Sequence, residues 1–390
     1  MAPILPQLKA EFGISYGAVG LVVSAFGLSR LIFDLPVGWA AERFKPIMVL
    51  SLGTFLITAG SLSAALSSSY TGLVASRAIM GAGSAMCATT ALIVIAHLST
   101  PQNRARMLSM FPVAAYAGTS FAPLISGYLA AIFDWRASFF FCAITTFISF
   151  AFVMITQRKR QEPNEAGHGQ SNVHHHRQNS KPGALGLSSA ATSRALIAAM
   201  LAAVAIYFSR QGLIQALVPL YAGNALRVNV ETIGTLLSGS AIISMVILSL
   251  SGILADRYGR MLVFIPGVSS LILGALMLPF SSNLMLLVVC TGLLSLGGMT
   301  VSIPGVYIGD LSSRTTLTRN MGLLRFLSDF GIFAGPVTLS SMVDYFGYNV
   351  PAIADAAFLV ISAASVLLLM PFGSSPQRVV VQARETGEVE

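Results

Sequence analysis

The chain has 390 residues, 55% of them hydrophobic and only 10% charged, against roughly 25% charged in ordinary soluble domains. That balance excludes a water-dispersed globular protein and makes the lipid bilayer its solvent. A net charge of +8 and a pI near 9.7 raise nucleic acid as a partner, but the placement of the basic residues, given below, excludes it.

The opening stretch, MAPILPQLKAEFGISYGAVG, holds two prolines, a lysine and a glutamate before any long apolar run, and reads as a loop leaving a helix. It lacks a basic n-region, short apolar core and small-residue cleavage site, so no signal peptide is read there. A helix needs about 20 mostly apolar residues to cross ~30 Å of hydrocarbon. Eleven stretches qualify: 17–40, 47–66, 71–98, 107–133, 137–156, 195–221, 233–255, 261–280, 284–308, 321–343 and 351–370. They are apolar all round rather than alternating, which predicts helices and not barrel strands. The expected fold class is therefore all-α integral membrane, in two helical bundles.

Residues 157–193 are polar and rich in Pro, Gly and Ser, and are expected to form a flexible linker between a first bundle (1–156) and a second (194–371), with a tail from 372 to 390. Of the 23 Lys and Arg residues, sixteen fall in the linker, the tail and the loops on that side. Only Lys9, Arg136 and Arg227 fall on the other, and Arg30, Arg77, Arg210 and Arg325 lie within spans. This asymmetry predicts a cytoplasmic linker and C-terminus in a bacterial inner (plasma) membrane. It is an orientation signal, and no nucleic-acid partner is read.

The halves repeat. GLVVSAFGLSRLIFDLPVGWAAERF from Gly20 matches GTLLSGSAIISMVILSLSGILADRY from Gly234 at an offset of 214, pairing Gly38 with Gly252, Glu42 with Asp256 and Arg43 with Arg257. AGTSFAPLISG matches FGIFAGPVTLS at 213, pairing Gly118 with Gly331 and Pro123 with Pro336. Internal duplication is a common construction of secondary transporters. Pro6 then pairs with Pro219, at the exit of the span beginning near 195. The repeat thus leads to the expectation that the first helix of the first half is missing and that the true start lies upstream.

GILADRYGRM (252–261) and GWAAERFKP (38–46) resemble the signature between the second and third helices of each half in the major facilitator superfamily. RAIMGAGSA (77–85) is similar to that family's fourth-helix motif. GTSFAPLISG (118–127) resembles the fifth-helix motif of its drug:proton antiporter branch, departing at Ala122 and Ser126, where glycine is usual. LRFLSDFGIFAGPV (324–337) resembles the eleventh helix of that branch. The resemblance covers the whole chain. It implies two pseudo-symmetric bundles, proton-coupled exchange, and antiporter-type positions at Gly118, Pro123, Gly127, Gly335 and Pro336. It also implies a gating motif at Gly38, Glu42, Arg43, Gly252, Asp256, Arg257, Gly259 and Arg260. Gly38 and Gly252 are expected to let backbones approach closely, with Glu42 or Asp256 facing the positive end of a neighbouring helix. A solvated turn obeying the charge asymmetry is the plainer reading of the same residues.

Charge within spans is costly and faces a partner or a wet cavity. Arg30 and Asp34 stand four apart on one helix, as do Arg325 and Asp329 on another, so each pair is expected to bond along its own helix. Two readings stand: structural ion pairs, or proton-coupling groups in which protonating Asp34 or Asp329 frees an arginine. Arg77 and Arg210 have no acid within helical reach and need a partner on another helix, a backbone carbonyl or a substrate. In the family, the first, fourth, seventh and tenth helices line the cavity. That makes Arg77 a proton-handling candidate and Arg210, Gln211, Gln215, Thr300, Ser302 and Tyr307 substrate-cavity candidates. The hydroxyls can instead bond back to their own helix.

Cys87, Cys142 and Cys290 lie in apolar stretches without ligand or disulfide spacing and are read as core filler, as are most methionines and aromatics. His174–His176 sit in the linker without supporting ligands, so no metal site and no cofactor is expected. No phosphate-binding G-x-x-x-x-G-K-[ST], H-E-x-x-H or G-x-S-x-G appears, and no enzyme is read. The function expected is secondary, proton-coupled efflux of small amphipathic organic molecules by a monomer in the bilayer. The alternatives are an importer or sugar-type transporter of the same fold, or a non-transporting sensor or truncated remnant.

Overall fold

The computed structural model describes residues 1–100, 103–161, 189–313 and 316–369. A turn of 3-10 helix and α1 (Leu5–Phe12) lead into α2 (Tyr16–Arg43), α3 (Pro46–Ala65), α4 (Tyr70–Leu98), α5 (Arg104–Ile132) and α6 (Trp135–Gln161). The second half begins with α7 (Ser189–Ser209), a π-helical segment (Arg210–Leu217) and α8 (Val218–Asn224). It continues through α9 (Val230–Tyr258), α10 (Arg260–Met277), α11 (Leu284–Leu296), α12 (Ile303–Leu311), α13 (Leu317–Phe346) and α14 (Asn349–Leu369). No strand occurs among the described residues.

Local chemistry sets the helix ends. Side chains of Ser15, Ser69 and Asn283 accept the N–H of the third residue onward, at 3.2, 3.2 and 2.9 Å, supplying donors' partners that the first turn lacks. At the other ends of α9 and α13, Gly259 (φ 97°) and Gly347 (φ 69°) turn the chain through conformations that side chains resist.

Among the described residues ten helical segments are long and apolar enough to cross a bilayer, against eleven read from the sequence. The difference is α5. Its 29 residues, which include Pro112 and Pro123, reach about 44 Å at 1.5 Å each. The linker is also shorter than expected: α6 runs to Gln161 and α7 starts at Ser189, both inside 157–193. The His174–His176 run, the rest of the linker and the tail lie outside the described residues.

The first half is built on α2 against α4 and on α3 against α4 and α6. The second is built on α7 against α13 and α14 and on α10 against α11 and α14. The halves meet along two interfaces, α2 with α13 and α5 with α9, which the repeat exchanges. Their details match. A Cβ on Gly20 would stand 2.6 Å from the Pro336 carbonyl, and one on Gly234 2.6 Å from that of Pro123. Ser24 Oγ donates to Phe333 O (2.6 Å) and accepts from Val337 N–H (3.1 Å), while Ser238 Oγ accepts from Leu124 N–H (2.8 Å). In both cases a serine of one half meets the helix of the other beside a proline, which has no N–H for the helical ladder. Asp344 of α13 also accepts from Tyr16 and Gly17 N–H at 2.7 Å each, a carboxylate at the positive start of α2.

Close approach does not fall on Gly38 and Gly252. Added Cβ atoms at Gly38 and Gly252 would meet nothing within 4 Å, because both lie near the helix ends, beyond the contacts between the halves. Gly81 and Gly83 of α4 do pack tightly, with 2.3 Å to Phe26 O and 2.6 Å to Gly53 O. An added Cβ on Gly331 would stand 2.7 Å from Val204 O of α7, while one on its mate Gly118 would meet nothing within 4 Å. Gly331→Val is expected to destabilise the fold by ~1–3 kcal/mol through overpacking, and Gly118→Val to leave it unchanged. Thermal unfolding of the detergent-solubilised variants measures the difference.

Candidate functional site

The charged residues of α2 and α13 do not pair along their own helices as the four-residue spacing suggests. They pair crosswise. Arg325 clasps Asp34 with two bonds, Nε to Oδ2 at 2.9 Å and Nη2 to Oδ1 at 3.1 Å, and Nη2 also reaches Thr89 of α4 at 3.4 Å. Arg30 Nε stands 3.3 Å from Asp329 Oδ1. Two physical reasons favour the crossed arrangement. An arginine four residues before an acid is the weaker order for a pair on one helix. The helices also run antiparallel with Gly27 against the Phe333 backbone, so a four-residue step along one is matched by four residues back along the other.

Asp329 is only 2% exposed, and its Oδ2 is buried without a hydrogen-bond partner. Two acids and two guanidiniums thus gather at the seam between the halves.

Arg77 finds no carboxylate among the described residues. It is buried against α2, with Nε on Val22 O (3.3 Å), Nη1 near Met80 Sδ (3.9 Å) and its guanidinium 4.8 Å from the Phe26 ring centre. This leaves it fastening α4 to α2.

Arg210 opens the π-helical segment, where the Val218 N–H bonds to Leu213 O, five residues back. Residues five apart share a face there, whereas at about 100° per residue in an α-helix they would diverge by ~140°. Arg210, Gln211 and Gln215 are all partly accessible amid buried neighbours. Arg210 Nη2 reaches Ser244 of α9 (3.4 Å), and Nη1 is shielded from solvent without a partner. Tyr207 of α7 lies within electrostatic range of Arg30, Asp329, Arg210 and Tyr116 of α5. Neither tyrosine stood out in the sequence, where aromatic residues of a membrane span look like filler.

The tenth-helix candidates are placed elsewhere. Thr300 is fully buried, its hydroxyl bonding Gly297 O of its own turn at 2.7 Å. Tyr307 packs inside the second bundle with Ala199, Phe264 and Val366. Both face α7, α10 and α14 rather than the other half, because the chain between α11 and α12 is a 3-10 turn that rotates the face presented. Ser302 stands partly exposed before α12 and makes no capping bond. A cavity of about 330 Å³ beside α9 and α11, lined by Thr232, Thr235, Ser240 and Thr291 among others, includes none of the sequence-selected residues.

Of the gating motif, Arg260 pairs with Asp310 and sits 5.5 Å from the Tyr307 ring centre. Arg43 and Arg257 lie over Trp39 and Tyr258 at 5.5 and 5.4 Å. The Glu42 and Asp256 side chains lie outside the described residues. Pro123, Gly127, Gly335 and Pro336 all take part in helix contacts, Gly127 against Gly234 and Gly335 against Phe208 O at 2.2 Å from an added Cβ, but Gly118 does not. Double-mutant cycles on unfolding are expected to give coupling of ~1–3 kcal/mol for Arg325 with Asp34 and for Arg30 with Asp329. Arg30 with Asp34 is expected to couple more weakly; the reverse order would refute the crossed pairing.

The sequence model of the Major Facilitator Superfamily matches residues 1–221 and 199–387. The inner membrane transport protein YajR of Escherichia coli (strain K12) is 34% identical over 127 residues, 31% of this chain and 26% of that protein. The multidrug resistance protein Stp of Mycobacterium tuberculosis (strain CDC 1551 / Oshkosh) is 26% identical over 35% of this chain and 26% of its own length. The matched segments thus span about a quarter of these relatives. The crystal structure of a bacterial homolog of the human lysosomal transporter Spinster, inward-facing and unoccupied, superposes with a TM-score of 0.75 at 15% identity, covering 94% of this chain and 92% of that one. A POT family transporter in complex with a thioalcohol-conjugated peptide gives 0.75 at 13% identity, with 95% and 93% covered. With a paired-bundle helical fold, ten apolar spans and family-wide sequence agreement, the chain belongs to the Major Facilitator Superfamily and is an integral membrane transporter rather than an enzyme.

Proposed function

We propose that this transporter exports small amphipathic organic molecules in exchange for protons, by rocking of the two halves about a central site. The observation that carries this reading is the crossed set of pairs, Arg30 with Asp329 and Arg325 with Asp34. It joins the halves, so any motion that parts α2 from α13 breaks it. A proton delivered to Asp34 or Asp329 neutralises the acid and weakens its hold on the arginine, which makes parting easier. Losing the proton restores the charge and draws the helices together. Proton movement and domain movement are coupled through the same four side chains. The names of relatives, multidrug export and resistance proteins, support the direction of export and a substrate range sorted by size and hydrophobicity.

The reading includes a bacterial plasma-membrane location, with the linker and C-terminus cytoplasmic, and a monomeric working unit. The test uses purified protein in proteoliposomes with an imposed proton gradient and a fluorescent amphipathic dye. Asp34→Asn and Asp329→Asn are expected to abolish gradient-driven dye movement while leaving the variants monodisperse and their helix content unchanged. Gradient-driven transport at the parent rate in both variants would remove these acids from the coupling step.

A further inference from the structure

We propose that Arg210 receives an anionic group, so that the transported molecule is an amphipathic organic anion. This rests on the export reading for its site and extends it to the charge of the substrate. The repeat supplies the first argument. It carries Arg30 onto Ser244 and Asp329 onto Tyr116. Where the α2–α13 interface holds an ion pair, the α5–α9 interface therefore has two hydroxyl groups. Arg210 comes from the π-helical segment into this second position, bonding Ser244 at 3.4 Å with Tyr116 and Tyr207 as its electrostatic neighbours.

The second argument is charge accounting. Nη1 of Arg210 is shielded from solvent and has no hydrogen-bond partner, a costly condition for a charged donor. Asp34, Asp329, Asp310, Asp344 and Asp355 each have another partner, and Oδ2 of Asp329 and of Asp355 is buried without one. Asp34 and Asp329 hold Arg325 and Arg30, Asp310 holds Arg260, Asp344 caps α2, and Asp355 of α14 accepts from Ser209 at 2.7 Å. Nor does any of them form an ion pair with Arg210 itself. The third argument is the donor set. A guanidinium, the amide groups of Gln211 and Gln215, and the phenols of Tyr116 and Tyr207 can all donate hydrogen bonds. Guanidinium matches a planar oxyanion with two parallel bonds. A carboxylate, sulfonate or phosphate monoester on an apolar body fits this arrangement, and an organic cation is repelled by it.

The test compares two dyes that share a xanthene ring and differ in charge, carboxyfluorescein (anion) and rhodamine (cation). Binding to the purified full chain in nanodiscs is followed by fluorescence polarisation, with protein-free nanodiscs subtracted. Carboxyfluorescein is expected to bind at least about tenfold more tightly than rhodamine, the scale of one charge-assisted contact. Arg210→Gln should erase that preference and Arg210→Lys keep part of it. Equal binding, a preference for rhodamine, or an Arg210→Gln variant with undiminished selectivity overturns the proposal. The comparison of dyes on the parent protein stands even where a variant does not fold. Gradient-driven movement in proteoliposomes is measured separately. Its loss alone would count against proton coupling, while loss of the charge preference alone would count against the anion site.

Discussion

The arrangement of the halves depends on four charges placed where lipid cannot solvate them. An arginine or aspartate at membrane depth needs a counter-charge, a polar partner or water. In this chain the counter-charges of Arg30 and Asp34 lie on the opposite half, on Asp329 and Arg325. That requirement sets the antiparallel register of α2 on α13 and brings Gly27, Gly20 and Gly17 against Phe333, Pro336 and Ser341. Small residues there allow the backbones near enough for side chains to bridge. A larger residue at Gly27 would lengthen every bond in the cluster at once.

The second interface obeys the same repeat with different chemistry. Between α5 and α9 the contacts are backbone, serine and glycine, with Ser238 on Leu124 and Gly127 on Gly234. No ion pair crosses it among the described residues. A duplicated scaffold thus has one charged seam and one neutral seam. The charged seam can respond to protons, since its bond strength depends on the state of two acids. The seam of α5 and α9 has no ion pair to break among the described residues. Division of labour between two interfaces of common origin is a physical route from a symmetric fold to directional exchange.

Much of the architecture was legible in the sequence, because bilayer thickness fixes the length of an apolar run and the charge asymmetry and repeat survive in the residue order. The charged positions were legible too, as Arg30, Asp34, Arg325 and Asp329 stand out against their apolar surroundings. Their partners were not. Spacing along one helix names who shares a face, and it says nothing of the helix opposite, which here offers the better geometry. Thr300 and Tyr307 show the same limit: a polar residue on a cavity-lining helix faces whichever side the local backbone turns it, and a 3-10 turn redirected both. Gly38 and Gly252 were misread as packing sites because a small residue marks the possibility of close approach and not its occurrence.

The π-helical segment left no compositional trace, since RQGLIQAL is an ordinary helical sequence. The wider turn is held by its surroundings. Ser209, just before it, is tied to Asp355, and Gly212 within it presses on the Gly335 backbone, 3.0 Å from an added Cβ. A signal did exist for the residues around it. Carrying Arg30 and Asp329 through the repeat arrives at Ser244 and Tyr116, the two groups flanking Arg210. Duplicated proteins can be read twice in this way: a position rich in charge in one half points to its mate in the other, and the loss of charge there marks where the copies took up different work. In this transporter that comparison separates a seam joined by ion pairs from a seam where an arginine stands without an acid.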